Sequence, residues 1–172
     1  MRQQRQPKRE GAREAVIVFT VGGFKFAIAA NAVREVRGLE GLQPRESSGA
    51  APIRVPKVGF TLERNGTIHF VVDATKHFHL PPSKAARVLV LRNEPIAILM
   101  DSTDRIMEIS TLHELPLAFT GDERNWYRGL AIMSGDVVPV VNQNAFLSKS
   151  EQAMLKSALQ APAAAKRRAI AV

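Results

Sequence analysis

Two short runs of β-branched and aromatic residues, joined by a pair of glycines, place the strongest constraint on the fold. The runs are Val16–Val21 and Phe24–Ala29, and Gly22-Gly23 lies between them. A two-residue hairpin turn needs a left-handed backbone, which glycine adopts without steric cost. The pattern therefore predicts a β-hairpin at the start of the folded part of the chain.

A short helix is predicted directly after this hairpin. Asn31 can cap its amino end, Gly38 can end it, and Ala32–Arg37 lies between them. Val33 and Val36 are three residues apart within this segment. Because so short a helix cannot expose both valines, we expect one of the two to face the core.

The strand pattern recurs along the rest of the chain, with turn residues between the runs. It predicts further strands at Thr67–Val72, Val88–Leu91, Ile96–Met100, Ile106–Ile109, Tyr127–Met133 and Val137–Val141. Residues 40–57 contain three prolines, two serines and two glycines and are expected to form a long loop. About nine or ten short strands with turns at this spacing are typical of small β-barrels, so the fold class is predicted to be mainly β.

A helix is predicted at the end of the folded part. Ser148 and Glu151 have the spacing of a capping box, in which each side chain accepts a hydrogen bond from a main-chain N–H of the other. The residues that repeat at helical spacing behind it are Met154, Leu155, Ala158 and Leu159. We expect a helix from about Ser150 to Gln160 that packs this apolar stripe onto a barrel.

The net charge of +8 lies almost entirely at the two ends of the chain. Residues 1–13 carry five basic residues against one glutamate, residues 161–172 carry three basic residues, and the body between them has a net charge of +1. We expect residues 1–13 to be a disordered basic tail and residues 161–172 a flexible one. Such tails can attract nucleic acid or anionic lipid in a salt-dependent way, but the nearly neutral body does not predict specific nucleic-acid recognition.

The candidate catalytic and metal-binding residues form no recognisable constellation. The chain has no cysteine, which excludes thiolate ligands and cysteine nucleophiles. His77 and His79 alternate like neighbours on a strand, but no third ligand stands at a metal-binding spacing. Asp101 and Asp104 fit a turn in which carboxylates cap main-chain N–H groups. We therefore expect no catalytic residue, no metal site, no cofactor and no small-molecule substrate, and predict that the protein is not an enzyme.

Four segments in order resemble the CheW-like domain of bacterial chemotaxis coupling proteins over about residues 14–160. They are FTVGGFKFAIAANAVREVRG, GFTLERNGTIHFVVD, RVLVLRNEPIAILMDSTDRIMEIS and YRGLAIMSGDVVPVVNQNAFLSKSEQAML. The resemblance implies two pseudo-symmetric five-stranded SH3-like barrels with an apolar groove between them. It also implies an adaptor that connects the cytoplasmic tip of a chemoreceptor to the regulatory domain of a histidine kinase.

The resemblance also implies which residues bind the receptor. It places Val33, Glu35, Val36 and Arg37 on the receptor-facing edge of the first barrel, Arg64 in a motif turn, and Ile106 at an apolar groove position of the second barrel. We expect the apolar members to bury against a receptor helix and Arg37 and Arg64 to stand at the rim. Without a signal peptide or a membrane-span pattern, the expected location is the cytoplasm, with recruitment to membrane-associated receptor arrays.

Some residues depart from the family pattern. Arg87 stands where the family tends to be apolar, and the loop 40–57 is longer than usual and lacks the usual Ile-Pro-x-x-Pro run. These departures suggest a non-standard receptor or a dedicated pathway, such as surface motility. The alternative function is a generic β-barrel module that uses its basic tails on nucleic acid, and binding of that kind should fall steeply with salt.

Overall fold

The computed structural model describes Gly11 and residues 13–45 and 55–160. The predicted tails therefore lie outside the described residues except at positions 11 and 13, and so does the middle of the predicted loop. The first half of the chain contains β1 Glu14–Val21, β2 Phe24–Ala29, β3 Val33–Arg37, β4 Leu42–Pro44, β5 Val58–Arg64, β6 Thr67–Asp73 and α1 Ala74–His77. The second half contains β7 Arg87–Leu91, β8 Ile96–Met100, β9 Ser102–Ile109, α2 Glu123–Trp126, β10 Tyr127–Met133, β11 Asp136–Val141 and α3 Lys149–Gln160.

The strands form two sheets, and neither sheet is a continuous half of the chain. The first sheet, which forms the first barrel, has the order β10-β11-β2-β1-β9. The second sheet, which forms the second barrel, has the order β3-β7-β8-β6-β5-β4. The mainly β, two-barrel fold class is confirmed, with a three-residue sixth strand, β4, added to the second barrel. The first hairpin is also confirmed, with Val21 opposite Phe24 across the glycine turn.

The predicted helix Ala32–Arg37 is wrong. Only Ala30–Ala32 form a single 3-10 turn, and the chain then continues as strand β3. A β-bulge at Arg34 explains the error, because Val33 lies opposite Leu91 while Glu35 already lies opposite Val90. The extra residue puts two valines three apart on one face of a strand, which is the spacing that a helix would also give.

Strand alternation divides the apolar side chains among three cores. Val16 and Val18 of β1 point into the first barrel, and Val88 and Val90 of β7 point into the second. The opposite faces of the same strands, with Phe19 among their residues, build the largest core, which lies between the two sheets. We call this cluster the shared core. The two barrels are therefore held together by apolar burial rather than by a linker.

The two halves of the chain repeat one plan and exchange their hairpins. In the first barrel β11 runs parallel to β2, with Val140 opposite Ala27, and in the second β6 runs parallel to β8, with Val71 opposite Ala97. The hairpin β1-β2 from the first half thus completes strands of the second half, and β7-β8 completes strands of the first. Each barrel consequently needs both halves of the chain.

Matching local features support this repeat. The β5-β6 turn and the β10-β11 turn both place two residues at positive φ, Asn65-Gly66 and Ser134-Gly135. After β6 the Asp73 carboxylate accepts a hydrogen bond from the N–H of Thr75. After β11 the Asn142 carboxamide oxygen does the same for Asn144.

The C-terminal helix is present, but only one residue of its predicted apolar stripe is fully buried. The capping box is confirmed, since Ser148 N–H donates to the Glu151 carboxylate at 2.7 Å and Glu151 N–H donates to Ser148 Oγ at 3.1 Å. Leu155 alone inserts into the shared core, whereas Met154 and Leu159 are exposed. The expectation that the whole stripe packs on a barrel is therefore wrong, and α3 is attached at one apolar point.

Candidate partner-binding surface

Strand β3 carries four of the six predicted receptor-binding residues and lies at the edge of the second sheet. Val33 and Val36 lie opposite Leu91 and Leu89 of β7, which both belong to the shared core. Both valines therefore face the side of the sheet that carries that core. Val33 is only 6% exposed and belongs to the core, whereas Val36 is 37% exposed. Of the two, only Val36 offers surface to a partner.

Ile106 occupies the corresponding place in the first barrel. It lies on β9, at the edge of the first sheet, opposite Ile17 of β1. Ile17 packs against the shared core, so Ile106 is on the same face, and 68% of it is exposed. The equivalent cross-strand rows in the two barrels are Ile106–Ile17–Ile28 and Val36–Leu89–Ile98. At these equivalent edge positions, each barrel thus presents an exposed aliphatic side chain on the face that carries the shared core.

We use the name seam surface for three apolar residues on the core-bearing faces of the two sheets: Val36 and Ile106, which are exposed, and Ile17, which is half-buried. Large aliphatic side chains at the edge of a buried core are energetically suited to bind another apolar group, because water must otherwise cover them. The resemblance assigned residues 33–37 and Ile106 to different barrels, and the structure does so too. It places 33–37, however, in the barrel completed by β7-β8 and not in that of the opening hairpin.

The charged members of the predicted site lie on the opposite face of β3. Glu35 and Arg37 alternate with Val36, and Arg64 Nη2 donates to Glu35 Oε2 at 2.8 Å. Arg37 Nη1 lies 3.9 Å from Glu35 Oε1, and Arg37 Nη2 donates to the main-chain oxygen of Glu40. Arg64 ends β5, on the far side of the sheet from β3, so the Glu35–Arg64 ion pair bridges the two sides and closes the barrel.

This ion pair leaves polar atoms without partners among the described residues. Glu35 Oε1 and Arg64 Nε are buried and make no hydrogen bond there. Two guanidinium groups surround one carboxylate, which gives the cluster a net positive charge.

The first barrel is closed by different contacts at equivalent places. Arg105, the counterpart of Glu35, donates to Ser134 Oγ in the β10-β11 turn at 3.2 Å. At the other end Arg128 of β10 binds Glu14 of β1 with two hydrogen bonds of 2.7 and 3.0 Å. The hydrogen bonds from Arg128 lower the pKa of Glu14 below its usual value. The two barrels therefore present apolar side chains alike but differ in the charges beside them.

The structure groups the six predicted residues in three ways. Glu35, Arg37 and Arg64 form one ion-paired cluster, Val36 and Ile106 are exposed on the core-bearing faces of two sheets, and Val33 is buried. Ile17 was not among the residues predicted from the sequence; it lies opposite Ile106 and packs against the shared core. Its position on the face opposite Val16 and Val18 follows from simple alternation along β1, so the signal was present.

His77 lies in an aromatic environment. His77 is buried among Phe78, Trp126 and Phe146, and Lys57 Nζ donates to its Nδ1 at 3.4 Å. Burial, followed by the nearby Lys57 charge, lowers the pKa of His77 to about 3, so the ring is neutral near pH 7. Within the described ranges, no three histidine, aspartate or glutamate side chains converge as metal ligands would.

Asp101, at the start of the predicted turn, has a structural contact. Strand β9 already begins at Ser102, so the expected Asp101–Asp104 turn is wrong. Asp101 accepts a hydrogen bond from Ser83 Oγ at 2.7 Å.

No helix in the described part of the chain is long and apolar enough to cross a lipid bilayer.

Comparisons with known proteins agree with this architecture. A family model described as a CheW-like domain matches residues 15–151. The chain is also similar in structure to the scaffolding protein TtCheW from Thermoanaerobacter tengcongensis, with a TM-score of 0.64 and 13% sequence identity. That match covers 79% of this chain and 94% of the other. Among curated proteins, none matches the chain.

Proposed function

The chain belongs to the CheW-like domain family, and on that premise we propose that it is an adaptor in a chemotaxis-type signalling array. In this role it links the cytoplasmic tip of a chemoreceptor to the regulatory domain of a histidine kinase, without making or breaking a covalent bond. It works in the cytoplasm, at receptor arrays attached to the membrane. The observation that carries the proposal is the pair of exposed aliphatic residues, Val36 and Ile106, at equivalent edge positions of the two barrels.

The seam surface suits an amphipathic helix. A helix binds a groove through apolar residues three or four apart, which reach side chains on both walls. Buried apolar anchors at the centre of such an interface carry most of the affinity, whereas charges at the rim mainly set orientation and association rate. We therefore assign Val36 and Ile106 to direct contact with the receptor helix. Val33 supports the strand from within the shared core.

We place the Glu35–Arg64 cluster beside this surface, because it lies on the opposite face of the same edge strand, β3. Because Glu35 is already paired with Arg64 at 2.8 Å, its main contribution is to hold β3 to the end of β5 within the second barrel. Arg37 and Arg64 supply the excess positive charge, which favours an acidic or carbonyl-rich flank on the receptor helix. Removing either arginine is expected to affect association rate and salt dependence more than the lifetime of the complex.

We also propose that the receptor is not a typical one. Arg87 is exposed at the start of β7, where the family tends to be apolar, and the loop 40–57 departs from the family pattern in length and in its proline motif. A dedicated pathway, such as surface motility, would account for both. Normal affinity for typical receptor tips in a pull-down would contradict this part of the proposal.

The adaptor role is tested by assembly of a three-part complex. The full chain, a receptor cytoplasmic fragment and a kinase regulatory domain are mixed and separated by size exclusion. Ile106→Asp should lose the receptor and keep the kinase, because it puts a charge into an apolar contact. Ile132→Asp is the matched control: Ile132 is also on an edge strand and is 62% exposed, but it lies outside the seam surface.

Two results would contradict the proposal. One is a chain that binds neither the receptor fragment nor the kinase domain. The other is equal loss of receptor binding in the Ile106 and Ile132 variants, which would show that the effect does not come from the seam surface.

A further inference from the structure

A small polar pocket lies where three connecting segments meet. The segments are the 3-10 turn after β2, the turn between β7 and β8, and the turn after β11. Its volume is about 250 Å³. The polar residues that line it are Asn31, Asn93, Glu94, Gln143 and Asn144, and Leu91 forms part of its apolar floor. It includes none of the residues to which receptor binding is assigned above.

Among the described residues, the side-chain carboxamides of this pocket make no hydrogen bond. Gln143 Oε1 is completely buried and has no hydrogen-bond partner among the described residues. Asn31 and Asn144 form hydrogen bonds through main-chain atoms, the oxygen of Asn31 accepting from Arg92 and the N–H of Asn144 donating to Asn142. A carboxamide offers one acceptor and two donors, which matches the donor and acceptor of a peptide main chain.

The internal repeat places an equivalent site in the other half of the molecule. In the register of the paired strands, the counterparts of Asn31 and Asn144 are Asp101 and Thr75, and the counterpart of the β7-β8 turn is the glycine turn at Gly22. These three elements surround the equivalent place in the other half of the molecule.

That equivalent place is filled by the protein's own chain. Leu80 N–H donates to the oxygen of Thr75 at 2.8 Å, and Ser83 Oγ donates to Asp101 at 2.7 Å. Between them, Pro81 lies beside Gly22: a Cβ atom on this glycine would be in van der Waals contact, 3.7 Å from the main-chain oxygen of Pro81. The occupant is thus the segment Leu80–Ser83, whose two prolines favour an extended polyproline conformation.

The second half of the chain cannot fill its own pocket in this way. The counterpart of His79, directly before the filling segment, is Ser148, and Ser148 starts the capping box of α3. The chain therefore leaves as a helix where the first half leaves as an extended segment. The pocket stays open as a result.

We propose that this pocket binds an extended, proline-containing segment of a partner protein. The segment takes the place that Leu80–Ser83 takes in the other half, with its main-chain N–H and C=O groups paired to the carboxamides. Its N–H groups satisfy the buried Gln143 Oε1, and a small apolar side chain rests on Leu91. Glu94 at the edge favours a neutral or basic segment over an acidic one.

The test uses a capped synthetic peptide with the sequence of residues 78–85, FHLPPSKA, as the probe. Titration into the full ¹⁵N-labelled chain should give saturable shifts of the side-chain amide signals of Asn31, Asn93 and Asn144. Replacing both prolines of the peptide by alanine should weaken binding about fivefold or more, because the extended conformation is then no longer preformed. Gln143→Leu should weaken it about fivefold, as loss of one hydrogen bond predicts. Asn125→Ala, outside the pocket, should have no effect.

Three outcomes would overturn the proposal. The first is absence of saturable shifts at the pocket amides. The second is equal binding by the Gln143→Leu and Asn125→Ala variants, with spectra showing that both are folded. The third is that the protein's own tail occupies the pocket. Nuclear Overhauser effects between residues 1–10 or 161–172 and the pocket amides, measured without the peptide, would show this.

Discussion

Aspartate at Val33 should unfold the protein, whereas aspartate at Val36 should leave it folded and unable to bind its receptor. The two valines lie on the same face of the same strand, so the comparison isolates burial. Val33 belongs to the shared core and Val36 lies at its rim. This expectation depends on β3: if residues 32–37 formed the predicted helix, the burial of Val33 and the size of its effect on stability would not follow.

The expected free energies follow from the exposed fractions. Burying a valine side chain contributes about 2 kcal/mol, and nearly all of this is lost at Val33. An unpaired carboxylate in the core adds several kcal/mol, so the total is about 5 kcal/mol or more, comparable with the whole stability of many domains. Val36 is more than one-third exposed, and a carboxylate there can reach water. We expect a cost of about 1 kcal/mol at that position.

Urea unfolding measured by tryptophan fluorescence tests this difference. Trp126 is the only tryptophan, and its ring lies 5.2 Å from that of His77 and 5.9 Å from that of Phe78, so its emission reports on the shared core. The Val33→Asp variant should be unfolded without urea or lose more than about 1 M in midpoint. The Val36→Asp variant should shift by less than that and still lose the receptor in size exclusion. Equal midpoints for the two variants would refute the assignment of Val33 to the core.

Three further predictions concern the rest of the molecule. Leu155→Ala should destabilise the protein by about 2–4 kcal/mol and increase amide hydrogen exchange along α3, because Leu155 is the only fully buried residue of this helix. Met154→Ala, at an exposed position of the same helix, should cost less than about 1 kcal/mol. Burial holds the pKa of His77 near 3, well below the unfolded value of 6.5, so the unfolded state binds more protons between pH 3 and pH 6.5. The free energy of unfolding should therefore fall by about 2 kcal/mol from pH 7 to pH 5, as measured by urea titrations at the two pH values. The His77→Phe variant should lose that part of the pH dependence. Gly129→Ala should destabilise the protein by about 2 kcal/mol or more in thermal unfolding, because the new Cβ atom would lie 2.5 Å from the main-chain oxygen of His113. Gly59→Ala is the control and should be nearly neutral, because its Cβ atom meets open space.

Local chemistry explains why several elements were predictable. The bounds of Phe24–Ala29, Ile96–Met100 and Tyr127–Met133 are those that alternation and turn residues predict. The capping box at Ser148 forms as its spacing requires. Each of these depends on residues within a few positions of one another. A turn or a cap has the same geometry in most folds.

The errors come from pairing between distant parts of the chain. Residues 33–37 become a strand because β7, more than fifty residues later, supplies the partner, and the bulge at Arg34 imitates helical spacing. Strand β5, Val58–Arg64, was not predicted on its own, and it forms by pairing with β6 and with the short β4. For the candidate site, the resemblance supplied the residue identities, but which valine is buried depended on this pairing.

By itself, the sequence determined the hairpins, the capped C-terminal helix, the nearly neutral body and the family resemblance. Only the tertiary structure decided that the two halves exchange hairpins, that Val33 is buried while Val36 and Ile106 are exposed, and that one of two equivalent pockets is left open. The physical reason is the range of the interactions. Turns and caps are satisfied by neighbours along the chain, whereas sheet order and burial depend on hydrogen-bond and apolar partners that only the complete fold brings together.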